Sequence, residues 1–155
     1  MSTLLGPVAL VPHRGDALLL DEIRSIGEHQ LEAGLVVRSG TAFSDDTGRL
    51  PGWIGPEIMA QAIAALSGHR SRAASGQPAA IGLLLGVRSY ETSVPVFCPG
   101  DVLTVEVIES SEDEEGRAVF DCRIHRAGLV LASGTLTVFQ PRDNSFIERE
   151  CMRHE

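Results

Sequence analysis

The sequence feature that most constrains the fold is the run IMAQAIAAL at residues 58–66. On a helix, this run places apolar side chains on every side, so the helix has to be enclosed by protein instead of lying on a surface. Pro56 stands just before the run, where its missing N–H costs nothing, and the pattern predicts a helix from about Pro56 to about Ser71. The rest of the chain must therefore supply a layer that wraps one central helix.

The segments on either side of this helix have the composition of β-strands. Two strands are expected between Leu18 and Val37, with a turn at residues 27–30. The polar residues 38–52 predict a long loop before the helix. After the helix, the strand-like stretches are 79–91, 101–110 and 119–140, and Gly128 divides the last of them into a hairpin. The order β-β-α-β-β-β-β predicts an α+β domain in which a curved antiparallel sheet of about six strands wraps the helix.

Composition narrows the classes of protein to be considered. A length of 155 residues fits one domain, which we expect over residues 1–140, with the polar residues 141–155 as an accessory or flexible tail. The net charge of -8 disfavours nucleic acid as a partner. No stretch approaches the ~18 apolar residues of a membrane span, and the start of the chain lacks the basic residues of a signal peptide. We therefore expect a cytoplasmic protein that does not enter a membrane.

Two polar residues, Glu57 and Gln61, interrupt the apolar helix. They are four residues apart and therefore share one helix face. The helix dipole favours the ionised form of Glu57 whereas burial favours the neutral form, and this opposition suits a group that exchanges protons with a substrate. Glu57 could equally be a first-turn carboxylate that satisfies free amides, and Gln61 a buried structural amide. The helix alone leaves both interpretations open.

Three separate stretches resemble one family, the hotdog-fold 3-hydroxyacyl-[acyl-carrier-protein] dehydratases of FabZ/FabA-like type. LVPHRGDALLLDEI at residues 10–23 is similar to the opening segment of these enzymes. PGWIGPEIMAQ at residues 51–61 resembles their Pro-Gly turn and central helix, and GVRSYETSVPVFCPGDVL at residues 86–103 resembles their third strand and the turn that follows. Trp53 and residues 59–61 look most like the ApeP-like branch, which is associated with aryl polyene assembly.

The resemblance implies a hotdog fold and a lyase. The implied substrate is a 3-hydroxyacyl group on the phosphopantetheine thioester of an acyl carrier protein, in fatty-acid or aryl-polyene type synthesis. The implied assembly is a dimer, either a homodimer or a heterodimer with another hotdog subunit, and its acyl tunnel would follow the subunit interface. No cofactor or metal is implied. By the same resemblance, Glu57 is catalytic, and the substrate-binding residues are Gln61, Gly52, Trp53 and Gly86.

One departure from the family pattern concerns the catalytic histidine. The usual enzymes carry it a few residues before the Pro-Gly turn, but the loop TAFSDDTGRLPG at residues 41–52 contains none. His13, in the first matched stretch, is the best candidate to replace it. His69 lies about 18 Å along the helix from Glu57, too far for the same-chain site. The remaining candidates are weaker: the histidines His29, His125 and His154 and the loop acids Asp45 and Asp46.

Three functions therefore stay open for this chain. The first is dehydration, with Glu57 and His13 as the proton-transfer groups. The second is hydrolysis of a thioester, because the same fold supports it when an acid near the helix start activates water. The third is a non-catalytic subunit that pairs with an intact dehydratase. A dimer is expected in each case, because one small sheet cannot cover a helix that is apolar on all sides.

Overall fold

The computed structural model describes residues 5–77 and 82–140. Within them, one long helix packs against a six-stranded antiparallel sheet. The α-helices are α1 (Pro7–Leu10) and α2 (Gly55–Ser75), and two short 3-10 helices span Gly15–Ala17 and Gly52–Ile54. The strands are β1 (Glu22–Ile26), β2 (Gln30–Val36), β3 (Leu50–Pro51), β4 (Leu83–Thr92), β5 (Val96–Phe97), β6 (Val102–Glu112), β7 (Arg117–Arg126) and β8 (Leu129–Phe139).

The large sheet has the strand order β1-β2-β6-β7-β8-β4, with every neighbouring pair antiparallel. Along the central strands β6 and β7, buried and more exposed residues alternate, so that one face of the sheet meets α2. The residues on that face include Leu103, Val105, Phe120 and Ile124. The predicted α+β architecture, with about six strands around one helix, is confirmed.

Helix α2 is enclosed as its sequence predicts. No residue from Gly55 to Arg72 is exposed, and Ile58, Met59 and Leu66 are fully buried. The helix continues to Ser75, beyond the predicted end near Ser71, because its last turn is exposed and free of helix-breaking residues. It ends at Gly76, whose φ of 73° is the left-handed conformation that commonly terminates helices.

The amino-terminal segment supplies part of the cover over α2. Gly68 lies directly under α1, and a Cβ atom on it would be 2.2 Å from the Leu10 carbonyl oxygen. The Arg72 guanidinium donates hydrogen bonds to the Ala9 carbonyl from Nε (3.1 Å) and Nη2 (2.8 Å). The sequence predicted that a second subunit completes the cover of α2. Part of that cover comes instead from the chain's own amino-terminal segment.

Two details of the predicted strands are wrong. β1 begins at Glu22 instead of Leu18, because residues 18–20 are buried in the core and the Leu19 N–H donates to the Gln61 side chain (2.8 Å). The short strands β3 and β5 pair with each other, and strands of two residues have no periodicity by which a sequence could predict them. The predicted tail at 141–155 and the predicted start of the third strand at residue 79 lie outside the described residues.

Among the residues that the structure describes, no helix is long and apolar enough to cross a membrane.

Candidate active site

The structure brings His13 and Glu57 together. Glu57 lies in the first turn of α2, and His13 lies on the segment that follows α1. His13 Nε2 is 3.2 Å from Glu57 Oε1, and the two side chains are 29% and 32% exposed. The two residues that sequence reasoning selected as the proton-transfer pair are therefore in contact within one chain.

Gln61 holds Glu57 in place. It is fully buried, and its Nε2 donates to Glu57 Oε1 (3.1 Å) and to the Ala17 carbonyl (2.8 Å). Its Oε1 accepts the Leu19 N–H (2.8 Å). The amide thus orients the carboxylate and ties the amino-terminal segment to α2. Within the described residues, no hydrogen bond involves Glu57 Oε2, which leaves this oxygen available to a substrate.

The second ring nitrogen of His13 has an unusual environment. His13 Nδ1 is buried and has no hydrogen-bond partner within the described residues. Nearly all buried polar atoms in proteins are paired, and the exceptions often have a catalytic or ligand-binding role. An imidazole with an unpaired buried nitrogen beside a carboxylate is therefore a candidate for a functional group.

An apolar cavity of about 400 Å³ extends from this pair along α2. His13, Arg14 and Glu57 line one end and Arg72 lines the other, about 22 Å away along the helix axis. Mostly small residues of α2 form the helix wall, while another wall comes from β4 and β8. The helix wall includes Ala60, Ile63, Ala64, Ser67 and Gly68, and the strand wall includes Leu83, Leu84 and Val138. This shape fits an extended apolar group with its reactive end at Glu57.

None of the four residues predicted to bind substrate lines the cavity. The Gly52 N–H donates to the Pro95 carbonyl (2.8 Å). The Trp53 side chain is 72% exposed. A Cβ atom on Gly86 would meet nothing within 4 Å, so no close approach requires glycine there. Of the predicted substrate-binding residues, the structure connects Gln61 alone to the His13–Glu57 pair.

Two of the weaker candidates, Asp45 and His29, have structural surroundings, and a third, His154, lies outside the described residues. Asp45 Oδ1 accepts hydrogen bonds from Thr47 and from the Arg49 N–H (3.0 Å), and the Thr47 hydroxyl in particular holds the pKa of Asp45 below its usual value. His29 Nδ1 lies 3.0 Å from Glu109 Oε1, in an ion-pair cluster with Arg70. These contacts account for both residues without a substrate.

Sequence reasoning missed the small residues that line the cavity. Ala60, Ala64 and Ser67 follow Glu57 at spacings of three and four, so they lie on the same side of α2. A search for small residues on the face that carries the carboxylate would have found them.

A curved antiparallel sheet packed on one central helix defines the chain as a hotdog-fold protein, and solved structures support this class. A chain of the dehydratase heterocomplex ApeI:P from Xenorhabdus doucetiae is 30% identical, with a TM-score of 0.85 over 94% of this chain and 97% of that one. The sequence model of the ApeP-like family, described as ApeP dehydratase, matches residues 6–148. The chain therefore belongs to the ApeP-like dehydratase family, which confirms the predicted family and the predicted lyase class.

More distant structures share the fold alone. AziG from S. sahachiroi is 15% identical with a TM-score of 0.59, covering 79% of this chain and 91% of that one. A hypothetical thioesterase protein with coenzyme A from Streptococcus pneumoniae TIGR4 is 17% identical with a TM-score of 0.54, covering 79% and 90%. A search of curated proteins found no match.

Proposed function

We propose that this dehydratase removes water from a 3-hydroxyacyl thioester carried on the phosphopantetheine arm of an acyl carrier protein. The observation that carries the proposal is the 3.2 Å contact between His13 and Glu57 at one end of an apolar cavity. The reaction needs one group to take the C2 proton and another to protonate the departing C3 hydroxyl. The products are a trans-2-enoyl thioester and water.

The contacts of Glu57 support its part in this reaction. Gln61 and His13 both lie against Oε1, so the free Oε2 is the oxygen that exchanges a proton with the substrate. His13 supplies the second proton-transfer group, and its unpaired Nδ1 leaves the ring able to change its hydrogen-bonding state. The apolar cavity along α2 accepts the acyl chain, since its walls away from Glu57 are mostly alanine, leucine and valine side chains.

The proposed carrier protein and pathway are supported by family membership. A substrate on a carrier protein is bound by its arm, and Arg14, which lines the cavity, offers a cation to the phosphate of that arm. Membership of the ApeP-like branch supports our proposal that the protein acts in an aryl-polyene or fatty-acid type pathway. We propose that it does so in the cytoplasm and without a cofactor.

A second hotdog subunit is the proposed protein partner. β4 is an edge strand of the sheet, and apolar side chains on it are exposed, among them Leu83, Leu84, Leu85 and Val87. An uncovered apolar edge strand can pair through its free backbone N–H and C=O groups with a strand of another chain. The similar Xenorhabdus chain is part of a dehydratase heterocomplex, which supports a heterodimer with another hotdog subunit alongside the homodimer as the proposed assembly. Light scattering at micromolar concentration tests this, and a monomer both alone and with a hotdog partner contradicts it.

One assay separates dehydration from the alternatives. The purified protein is incubated with a crotonyl thioester, and hydration of the double bond and release of free thiol are followed separately. Hydration supports the proposed function, whereas thiol release without hydration identifies a thioesterase that uses Glu57 to activate water. If the isolated protein is inactive and an intact hotdog dehydratase subunit restores hydration, then this chain is a supporting subunit.

A further inference from the structure

A β-bulge interrupts β4 at Ser89 and Tyr90. Arg88 pairs with Thr135 and Glu91 pairs with Ser133, so Ser89 and Tyr90 together face the single residue between these partners on β8. Ser89 has a φ of 55°, in the left-handed region that few residues other than glycine adopt. Bulges change the direction of side chains and are frequent beside active sites. This one turns Tyr90 out of the regular strand pattern.

Tyr90 points towards the start of α2. It is the one residue of β4 that is partly buried, while all others in the strand are exposed. A Cβ atom on Gly55 would be 1.9 Å from the Tyr90 hydroxyl oxygen, and one on Gly134 would be 3.2 Å from the ring. Two glycines thus leave the space that the tyrosine ring occupies. The hydroxyl donates a hydrogen bond to the Gly52 carbonyl.

This hydrogen bond fixes the turn that leads into the catalytic helix. The residue before α2, Ile54, makes no side-chain capping bond, so the usual means of fixing a helix start is missing. The turn is instead held by three bonds at Gly52: its carbonyl accepts from Tyr90 and from the Gly55 N–H, and its N–H donates to the Pro95 carbonyl (2.8 Å). Glu57 follows five residues after this anchor.

We propose that Tyr90 is a positioning residue that holds the first turn of α2 where Glu57 meets His13 and the substrate. Tyr90 does not line the cavity, so it acts through Glu57 and not on the substrate. This inference rests on the proposed dehydratase function.

Tyr90→Phe tests the inference, because it removes the hydroxyl and keeps the ring. We expect kcat for hydration of a crotonyl thioester to fall roughly tenfold, with KM within about twofold, since a small misplacement of a catalytic group lowers the rate of the chemical step. The full-length protein is used, together with a hotdog partner subunit where activity requires one. Unchanged kcat would overturn the inference.

Ser110→Ala is the matched control. The Ser110 hydroxyl donates to the Val119 carbonyl (3.1 Å) at a bulge in β6, so its removal also costs one hydroxyl-to-carbonyl hydrogen bond at a bulge. We expect this variant to keep its kcat. An equal loss of kcat in both variants would show a general effect on stability and not positioning.

A double-mutant cycle with Glu57→Gln separates positioning from a merely structural role. If Tyr90 acts through Glu57, then adding Tyr90→Phe to Glu57→Gln leaves the residual kcat within about twofold. The same tenfold fall in both backgrounds would contradict the inference.

Two further measurements do not depend on a fully active Tyr90→Phe protein. Burial raises the pKa of Tyr90, the single tyrosine of the chain, so an ultraviolet titration should show it ionising above pH 10. A tyrosine that titrates like a free one would overturn the inference, whether or not the protein hydrates thioesters.

Ser89→Val, which disfavours a positive φ, should lower kcat as Tyr90→Phe does, whereas Ser89→Gly should preserve it. Failure of the unmodified protein to hydrate any thioester, alone or with a partner, would instead refute the proposed function.

Discussion

Gly68 of the central helix and Leu10 of α1 are in such close contact that a Cβ atom on Gly68 would be 2.2 Å from the Leu10 carbonyl oxygen. This contact brings the amino-terminal segment onto α2, and three residues after Leu10 that segment presents His13 to Glu57. The glycine is therefore needed for the close approach of two segments that carry the candidate active site.

We predict that Gly68→Ala lowers both stability and activity. In an open helix position this change would stabilise by about 1 kcal/mol, because alanine is the better helix former. Here the added methyl group must displace Leu10, and overpacking of this kind costs about 1–3 kcal/mol. We expect Tm to fall by a few degrees and hydration to slow as His13 moves. A higher Tm in thermal unfolding would contradict the close contact.

We predict that Glu57→Gln keeps the fold and lowers turnover of a crotonyl thioester by about two orders of magnitude or more, as loss of a general acid–base group does. The amide can still accept the hydrogen bond from Gln61, so Tm should change little. Glu28→Gln, at a side chain that is 89% exposed, is the control and should retain activity. An active Glu57→Gln protein would reduce Glu57 to a first-turn carboxylate.

We predict that His13→Ala abolishes hydration and lowers Tm by no more than a few degrees. The change removes one polar contact, that of Nε2 with Glu57 Oε1, and a partly exposed pair of this kind contributes about 1 kcal/mol or less. His125→Ala, on β7, is the control and should remain active. A large loss of stability would identify His13 as structural, and full activity would indicate that a partner subunit supplies the imidazole.

We predict that Ala64→Leu shortens the acyl chain that the enzyme accepts. Ala64 lines the cavity midway along α2, so a larger side chain there obstructs long substrates but not a crotonyl group near Glu57. An overpacking cost of about 1.4 kcal/mol corresponds to a tenfold loss, which we expect in kcat/KM for a decenoyl thioester. Ala74→Leu, at an exposed position of the same helix, is the control. If Ala64→Leu lowered kcat/KM equally for the crotonyl and the decenoyl thioester, the acyl chain would not lie along this cavity.

We predict that stability depends on the ionisation of Glu109. Its side chain is 4% exposed, and Arg70 donates to both carboxylate oxygens (2.9 and 3.2 Å). Burial opposes ionisation, but hydrogen bonds from Arg70 and His29 outweigh it and hold the pKa of Glu109 below its ordinary value of 4.5. Because the folded pKa is lowered, the carboxylate stabilises the fold fully above its ordinary pKa of 4.5, and this contribution is lost as the pH falls through the folded pKa.

Thermal unfolding of Glu109→Gln measures this contribution. Loss of hydrogen bonds to a charged group costs about 2 kcal/mol, or roughly 4–8 °C in Tm at pH 7. The difference from the unmodified protein should narrow as the pH falls below about 4. Glu114→Gln, in an exposed turn, should show no such difference. A difference in Tm that is constant with pH would mean that the charge of Glu109 is not responsible.

The central helix, its enclosure and the order of the long strands along the chain were predictable from the sequence. Local patterns carry this information: the apolar run at residues 58–66 requires a helix surrounded by protein, and alternating residues in β6 and β7 require a sheet with one buried face. Glu57 and Gln61 were predictable as neighbours for the same reason, since a spacing of four residues places two side chains together on any helix. Resemblance to known dehydratases then selected His13.

Which distant residues meet depends on the packing of the elements and could not be predicted from local patterns. The contact of His13 with Glu57 depends on how closely α1 approaches Gly68, and no local pattern reports the distance between two segments of a chain. The direction of Tyr90 likewise depends on one extra residue in β4 relative to β8, which becomes visible only when the two strands are paired. Local periodicity specifies the elements of the fold, whereas the candidate site arises where the packing of those elements brings their ends within hydrogen-bonding distance.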